Sequence, residues 1–545
     1  MAVDARLAYS LIQDKTNKQE PINQKLLDFK KNEDIPFLIK NICKGLEIID
    51  GFTLKDVIMR PVTTIFNRET THERLNQEGK KKGYISYPIE ESRFNEVIIK
   101  YHLKGTNQNR EIEEKDCTKK LYYPELLEGQ YFELNGSRFF PVMQLANAEF
   151  YRTMDNSIVL KTMFMPLKIR GEQTKLKDDE GKLGREGYPT LKLNVYLFKK
   201  YIPFFRYYFA KFGLEGSLEA FNMADAVDFI IDENKNIVHA NPFLYFKLTK
   251  KITMRIDREW FDADPDMHAK LIQAIISVFS KKIIKPDKML DTAYWKNRLG
   301  REFTTNTNTA DDKATSIMLS LERIMNDSTR DTLRIPDEEK KDVYTIMRYM
   351  IYNFDRIVRI DNHDLANKRI RVAEYLLYPL TAKLSKAVYR LVNSKHSRLG
   401  DLENIFSNIP ASYIMNHIAT IPLLRYSNGT STLDLFNSTL KGSKNGPQAE
   451  KSAGTKSLAS KGINPSYLGE IDTTATSSGD PGSSVTIVPT AKVYDPNGTG
   501  AFFFTDQPEY NLPKTLEQQN LEDDNDFDML DDIMDADDDL MGDDF

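Results

Sequence analysis

The sequence Asn437-Ser-Thr-Leu-Lys-Gly-Ser-Lys-Asn-Gly-Pro447 opens the stretch, residues 437–487, around which the rest of the chain is organised. This stretch combines positive charge with small and polar residues, and it holds five lysines: Lys441, Lys444, Lys451, Lys456 and Lys461. It has few apolar side chains with which to form a core, so the pattern by itself predicts a loop. Lysine ammonium groups, hydroxyl groups and unobstructed backbone N–H groups are donors that suit phosphate oxygens.

A flexible linker is the alternative interpretation of these lysines, and composition alone favours it. Patterns typical of ordered structure resume afterwards, at Ser484-Val-Thr-Ile-Val488 and Ala491-Lys-Val-Tyr494. The lysine loop, residues 441–461, is therefore predicted to lie inside a folded region.

The bulk composition is that of a protein without a membrane span. A chain of 545 residues allows two to four domains with sizeable cores. No window approaches the ~18 uninterrupted apolar residues of a membrane helix, and the N-terminus lacks the apolar core of a signal peptide. Cys43 and Cys117 are the only two cysteines, too few for a disulfide framework or a zinc site. We expect a protein of an intracellular, reducing compartment.

The charge is distributed unevenly along the chain. Residues 522–545 contain thirteen acidic residues and no basic one, so the formal net charge of −5 becomes about +8 for the first 521 residues. Such asymmetry indicates nucleic-acid partners or a detachable electrostatic arm. The acidic tail is predicted to be disordered. Phe527, Leu530, Ile533 and Met534 recur in it at roughly helical spacing, which predicts a partner-docking or DNA-mimicking arm; a purely solubilising tail is the alternative.

The first half of the chain shows strand patterns. Residues 94–103 alternate with period two, and residues 130–134 and 137–145 flank Asn135-Gly136, the signal of a tight hairpin turn. Further strands are predicted at 157–167 and 191–198, separated by a charged loop over residues 172–186.

The second half is mostly helical in pattern. Pro265 begins a predicted helix that runs to Phe279, and helices are also expected at 314–325 and 343–354. A long amphipathic helix is predicted over residues 364–392, with a kink at Pro379. Strands followed by helices indicate an α+β fold.

Three segments have motif character. Asp361-Asn-His-Asp-Leu-Ala-Asn-Lys-Arg-Ile-Arg-Val-Ala-Glu374 is similar to Asp-x-Asp-His-(Leu/Tyr)-(Gly/Ala)-Asn-(Arg/Lys)-Arg-(Ile/Leu)-Arg, with His and Asp exchanged at His363 and Asp364. Gly129-Gln-Tyr-Phe-Glu-Leu-Asn-Gly-Ser-Arg138, followed by Pro141-Val-Met-Gln-Leu145, is similar to Gly-x-Phe-Ile-Ile-Asn-Gly-x-Glu-Arg-Val-Ile-Val-Ser-Gln-Leu, without the Glu before the Arg. Both patterns belong to the N-terminal half of the second-largest, β-type subunit of multisubunit DNA-dependent RNA polymerases, which this chain resembles.

The opening stretch is the third match, to the fork loop of that subunit. The matching residues are Gly446-Pro447, Lys451-Ser-Ala-Gly454, Asn464-Pro-Ser-Tyr-Leu-Gly469 and Thr476-Ser-Ser-Gly-Asp-Pro481. The chain departs from the family at several positions: Lys441 and Lys451 replace arginines, Glu470 replaces the Arg after Gly, and Ala475 and Ser478 replace glutamates.

The resemblance implies an elongated, multidomain α+β architecture. Residues 1–150 would form the first part of the protrusion, 151–340 the lobe, 341–430 the returning protrusion helices and 431–510 the fork, which includes the segment similar to the rifampicin region. Residues 511–545 would be the acidic tail.

The resemblance also implies a function, which is to line the cleft for DNA and the RNA–DNA hybrid. The family's catalytic Mg²⁺ is held by the largest subunit, so no catalytic residue, metal ligand or cofactor is expected on this chain. The expected partners are a β C-terminal half chain, β′-type chains, a promoter-specificity factor, the DNA template and the RNA product. Split β and β′ chains of this kind resemble those of giant tailed bacteriophages, which implies action in the cytoplasm of the infected host. The residues expected to contact nucleic acid are the five lysines of the loop together with Arg138, Arg369 and Arg371.

Simpler interpretations stand beside these. Residues 361–374 fit an ordinary helix start, in which Asp361 or Asn362 is the N-cap. Arg369 and Arg371 are not expected both to face the core, so at least one should meet solvent, an acid or nucleic acid. For the whole chain, the alternative function is an intracellular structural or virion protein with a basic linker loop and an acidic docking tail.

Overall fold

The computed structural model describes most of the chain, with gaps. The described residues are 20–21, 34–61, 93–107, 111–127, 131–134, 136–153, 155–164, 166–197, 200–231, 242–279, 284, 286–306, 309–325, 327–371, 374–392, 398–421, 423–426, 431–444, 463–474, 484–495 and 502–505. The acidic tail and the predicted phosphate-binding residues Lys451, Lys456 and Lys461 lie outside them.

The chain folds as a multidomain α+β protein, as the sequence predicts. A hairpin sheet contains Phe52–Pro61, Phe94–Thr106 and Ile112–Pro124. A four-stranded sheet has the order Leu424–Tyr426, Ser137–Pro141, Tyr131–Leu134 and Leu126–Leu127. Both sheets are antiparallel, and a large hydrophobic core contains residues from each of them.

Two further antiparallel sheets occupy the middle of the chain. One has the order Lys200–Pro203, Tyr188–Leu197, Leu167–Leu176, Ser157–Leu160 and Phe150–Thr153. The other has the order Val227–Ile231, Ile252–Asp257 and Phe243–Lys247. Glu20–Pro21 pairs with Lys492–Val493 in a separate short ladder.

The helices lie among these sheets, and most of them contribute side chains to the large core. They are Asp34–Lys44, Phe205–Ala220, Arg258–Ala263, Pro265–Phe279, Thr292–Phe303, Ala310–Arg323, Asp327–Thr332, Val343–Tyr352, Phe354–Val358, Tyr378–Val392, Leu399–Glu403, Tyr413–Thr420 and Thr432–Thr439. Within the described ranges, no helix is both long and apolar enough to cross a membrane.

Several predicted elements need correction. The stretch 137–145 is two strands rather than one, because the chain passes at Val142 from the four-stranded sheet into another. Residues 157–167 likewise contain one short strand, Ser157–Leu160, and only the first residue of the next, Leu167–Leu176. The predicted charged loop is shorter than expected, because one strand extends to Leu176 and the next begins at Tyr188. Charged side chains on a half-exposed strand hide its apolar alternation from sequence analysis.

The predicted long helix over residues 364–392 is also wrong. The structure has a short 3₁₀ turn, Leu365–Asn367, then the strand Lys368–Arg371, a second 3₁₀ turn and the helix Tyr378–Val392. Pro379 therefore lies in the first helical turn, where its missing N–H has no partner to lose, and it does not kink an existing helix.

The three motif segments meet in one mixed sheet of five strands. Its order is Ser484–Thr486, Lys441–Ser443, Met143–Asn147, Lys368–Arg371 and Phe502–Phe503. The pair Lys441–Ser443 with Met143–Asn147 is parallel and the other pairs are antiparallel. Strands from segments hundreds of residues apart thus become neighbours.

Candidate nucleic-acid interface

The mixed sheet has one apolar face, which packs on a second hydrophobic core. Because paired residues share a face and faces alternate along a strand, Leu145, Ile370 and Val485 lie together, and all three are buried in this core. Gly442 lies on the same face, where an added Cβ would come within 2.9 Å of Cγ2 of Val485. Glycine at this position therefore allows the strand of the lysine segment to approach its neighbour closely.

The opposite face of the mixed sheet is polar. By the same register it carries Lys441 and Ser443 on one strand, Gln144 on the next, and Arg369 and Arg371 on the third. Each of the three motif segments thus contributes polar side chains to a single surface. We call this surface the polar face.

The arginine end of the polar face is buried and paired with acids. Nη1 of Arg369 donates to Oε1 of Glu149 at 2.7 Å, and Nη2 of Arg369 lies 2.7 Å from Oε2 of Glu374. Arg371 donates to the same Glu374 at 3.3 Å and to Oε1 of Gln144 at 3.2 Å. Burial by itself would raise the pKa of Glu374, but Arg369, Arg371 and nearby Lys161 outweigh it and hold that pKa at about 2.

Arg369 and Arg371 both face the interior, although the sequence pattern predicts that they do not both face the core. They are 8% and 3% exposed, and acids are the partners that the structure gives them. The reason is the conformation of the segment. The sequence predicts a helix, in which positions two apart point in different directions, but residues i and i+2 of the strand Lys368–Arg371 share one face.

The first and third motif segments also join through side chains outside the sheet. Nδ2 of Asn464 donates to Oδ2 of Asp361 at 2.9 Å, and the backbone N–H of Leu365 donates to Oγ of Ser466 at 3.0 Å. Asp361 and Asp364 cap the turns that follow them by accepting from backbone N–H groups two residues later. The predicted helix N-cap at Asp361 or Asn362 is therefore wrong: no α-helix begins here, and the residue that caps the 3₁₀ turn Leu365–Asn367 is Asp364.

The lysine end of the polar face is more open. Nζ of Lys441 donates to Oγ1 of Thr486 at 2.7 Å, which leaves further N–H donors on the ammonium group. Burial, and then the positive charge of Arg425, lowers the pKa of Lys441, while Asp472 opposes this effect. Arg425 is exposed on the strand Leu424–Tyr426. Sequence analysis missed Arg425, because only the fold brings its strand beside the lysine segment.

Two other predicted residues have aromatic neighbours. Lys444 donates from Nζ to the hydroxyl of Tyr467 at 2.6 Å and lies 4.5 Å from the centre of that ring. Arg138 is exposed and its guanidinium lies 5.1 Å from the ring centre of Tyr131. Arg425 is paired with Phe140, and Arg138 lies two residues before Phe140 on the neighbouring strand. Arg138 and Arg425 therefore share one face of the four-stranded sheet.

The described residues offer no metal centre. Among them, no group of three or more His, Cys, Asp or Glu side chains could hold a metal ion. The arrangement of Lys441, Arg425 and Arg138 instead provides partly or fully exposed cations, which can contact anionic groups such as phosphates.

Comparison with known protein families defines the class. The family model described as non-virion RNA polymerase subunit matches residues 4–528, so it covers nearly the whole chain. No curated protein matches the chain at a significant level. The chain belongs to the family of non-virion RNA polymerase subunits. This membership favours a polymerase subunit over the alternative of a structural or virion protein.

Proposed function

We propose that this polymerase subunit is of the β type and corresponds to the N-terminal half of β. The observation that supports this most is the mixed sheet: the three segments that resemble β, taken from residues 129–145, 361–374 and 437–487, meet as adjacent strands with one shared core. Unrelated resemblances scattered along a chain would have no reason to converge. In this assignment the chain lines the cleft for DNA and the RNA–DNA hybrid.

The chemistry of nucleotide addition would then belong to other chains. A β′-type partner would hold the catalytic Mg²⁺, and a β C-terminal half, further β′-type chains and a promoter-specificity factor would complete the enzyme. The site of action would be the cytoplasm of the infected bacterium. Because the family is described as non-virion, we propose that the enzyme is made during infection rather than carried in the particle.

Purification tests the β assignment directly. A tagged form of this chain, expressed during infection, is expected to bring down a β C-terminal half chain and β′-type chains, identified by mass spectrometry. The purified complex should synthesise RNA from a DNA template. Recovery of an active polymerase that already contains another β N-terminal half would contradict the assignment.

Within the polymerase, we propose that Lys441, Arg425 and Arg138 contact the nucleic-acid backbone, together with the loop lysines Lys451, Lys456 and Lys461. Arg369 and Arg371 would act differently, as buried supports that hold the polar face in place, because both are occupied by Glu149 and Glu374. Lys444 would support the loop through Tyr467 and still add positive charge.

The salt dependence of DNA binding by the assembled polymerase tests these contacts. We expect the triple variant Lys441→Ala, Arg425→Ala and Arg138→Ala to bind more weakly and to flatten the plot of log affinity against log salt. Each lost phosphate contact should lower the slope by roughly 0.7 for single strands to 0.9 for duplex DNA.

A matched control removes the same charge elsewhere. Lys104, Lys115 and Lys120 lie on the hairpin sheet and are paired with Glu114, Glu403 and Glu96. Their triple alanine variant should leave the slope unchanged. Equal slopes for both triple variants would mean that the surface around Lys441 does not meet nucleic acid.

A further inference from the structure

A cavity of about 590 Å³ lies between the segment from Asn147 to Pro166 and the helix Tyr378–Val392. Its volume is within the range of small-molecule sites. Its lining combines cationic and polar groups with aromatic rings: Asn147, Tyr151, Lys161, Phe164, Tyr378 and Lys386. Nothing in the proposed nucleic-acid contacts uses this cavity.

Lys161 is the unusual residue of this lining. Its Nζ is shut off from solvent and has no hydrogen-bond partner among the residues that the structure describes. A buried ammonium without a partner carries a large desolvation cost, which a counter-charge would relieve. Burial is the main cause that lowers the pKa of Lys161 to about 7, and the positive charge of Arg371 adds to it. The negative charges of Glu374 and Glu149 oppose this shift.

The surroundings of Lys161 carry more positive than negative charge. Arg369 and Arg371 share the carboxylates of Glu149 and Glu374, and the charge of Asp495 also acts on Arg369. Lys368 and protonated Lys161 add two more cations, so four cations stand against three anions. The cavity side adds the exposed Lys386 and no acidic residue among its described lining. An anion in the cavity would balance this excess.

Asn147 contributes a donor of fixed orientation. Nζ of Lys368 donates to Oδ1 of Asn147 at 2.8 Å. The remaining polar atom of that amide is Nδ2, which can only donate hydrogen bonds. Oδ1 is therefore engaged with the protein, and the amide NH₂ is the part that suits an acceptor oxygen of a ligand.

We propose that this cavity is a binding site for a small phosphate-bearing ligand of the nucleotide class. The phosphate oxygens accept hydrogen bonds from Lys161 and Asn147, and the rings of Tyr151, Phe164 and Tyr378 contact an attached base. Rotation about the terminal single bonds of Lys161 brings its ammonium to the phosphate, where it gains the partner that it lacks. This site is independent of the proposed β assignment and of the polar-face contacts.

Calorimetric titration of the full chain with adenosine monophosphate, inorganic phosphate and adenosine tests the site. Adenosine monophosphate is expected to bind more tightly than inorganic phosphate, and adenosine should bind much more weakly. The variant Lys161→Met should weaken binding of both phosphate compounds by about tenfold or more, the effect of one charge-assisted hydrogen bond, and leave adenosine unaffected. The control variant Lys383→Met removes an exposed charge from the same helix without touching the cavity, and it should bind like the wild type.

A second variant guards against a folding effect. Asn147→Asp keeps an oxygen for Lys368 but replaces the NH₂ donor by a negative charge, so it should fold normally and lose at least about tenfold in affinity for adenosine monophosphate. Between pH 7 and 9 the phosphate stays dianionic, since its second pKa is about 6. Affinity of the wild type should therefore fall over this range as Lys161 loses its proton, while Lys161→Met should bind with little dependence on pH.

Clear outcomes would overturn the proposal. They are absence of saturable binding by both phosphate compounds, unchanged affinity in Lys161→Met and Asn147→Asp, or a pH dependence that persists in Lys161→Met. Thermal denaturation of each variant, expected to match the wild type, shows that a loss of binding is not a loss of folding.

Discussion

The two ends of the polar face carry the same sign of charge in opposite settings. At one end, Arg369 and Arg371 are buried and each shares Glu374. At the other end, Lys441 is half-exposed, has the neutral Thr486 as its partner and lies close enough to Arg425 to be affected by its charge. A single strand of the mixed sheet, Met143–Asn147, separates these two settings.

The difference shows that a basic residue in a motif does not define a role by itself. A guanidinium that is buried against carboxylates stabilises the fold, because removal of its partner would leave an unpaired charge in a region of low dielectric. A half-exposed cation whose hydrogen-bond partner is a neutral hydroxyl is better suited to an external anion. The predictions below separate these two roles.

The largest effect is expected at the buried end. Glu149 is 5% exposed and accepts from Arg369 at 2.7 Å, so Glu149→Gln removes one of the two anions that balance the arginines. We expect the free energy of unfolding to fall by about 3 kcal/mol, as for other broken buried ion pairs. Denaturant titration of the full chain measures this loss. The control Glu114→Gln breaks an exposed pair with Lys104 on the hairpin sheet and should change little. Similar losses in the two variants would remove the distinction between buried and exposed charge.

A moderate effect is expected where the lysine strand enters the mixed sheet. Gly442→Ala would place a methyl group 2.9 Å from Cγ2 of Val485. The crowding should cost about 1 to 2 kcal/mol of unfolding free energy, measured in the same titration. The double variant Gly442→Ala with Val485→Ala should lose less unfolding free energy than the two single variants added together, because Val485→Ala removes the methyl group that the new side chain at position 442 would crowd. Strict additivity would mean that the two residues are not in contact.

The smallest effect is expected at Glu470, which provides a contrast to Glu374. Burial raises the pKa of Glu470 to about 6, only partly opposed by Lys492, and its Oε2 has no hydrogen-bond partner among the described residues. A raised carboxyl pKa means that the folded state loses stability as the pH rises from about 4.5 to 6. We expect Glu470→Gln to add about 1 kcal/mol at pH 7 after allowance for partial exposure, and to make no difference at pH 4.

Glu374 should show the opposite dependence on pH. Its pKa of about 2 lies below the ordinary value of 4.5, so its stabilising contribution is complete above pH 4.5 and is lost as the pH falls towards 2. Glu374→Gln should therefore flatten the acid side of a stability–pH curve, whereas Glu470→Gln should flatten the side between pH 4.5 and 6. Acid-side curves that coincide with the wild type in both variants would contradict these assignments.

Local patterns in the sequence determined many elements. The structure confirms the pairing of Tyr131–Leu134 with Ser137–Pro141, the helix that begins at Pro265 and the strand from Phe94, all of which the local spacing predicts. The α+β class follows from the same patterns, since strand and helix periods can be read over short windows. The resemblance to an RNA polymerase, which rests on the order of three short motifs, agrees with the family at the level of a polymerase subunit.

Only the tertiary structure decided which of these elements are neighbours and what their charges do. The sequence predicts that the strand Lys368–Arg371 is helical, because the apolar residues of the helix Tyr378–Val392 recur with a helical period that also fits the residues before it. Its pairing with Met143–Asn147 overrides that local preference and puts Arg369 and Arg371 on one face. Arg425, Lys161 and Glu149 have no motif to mark them, and their environments depend on chain segments far away in sequence. Burial, pairing and cavity formation are set by such long-range contacts, which a local pattern does not encode.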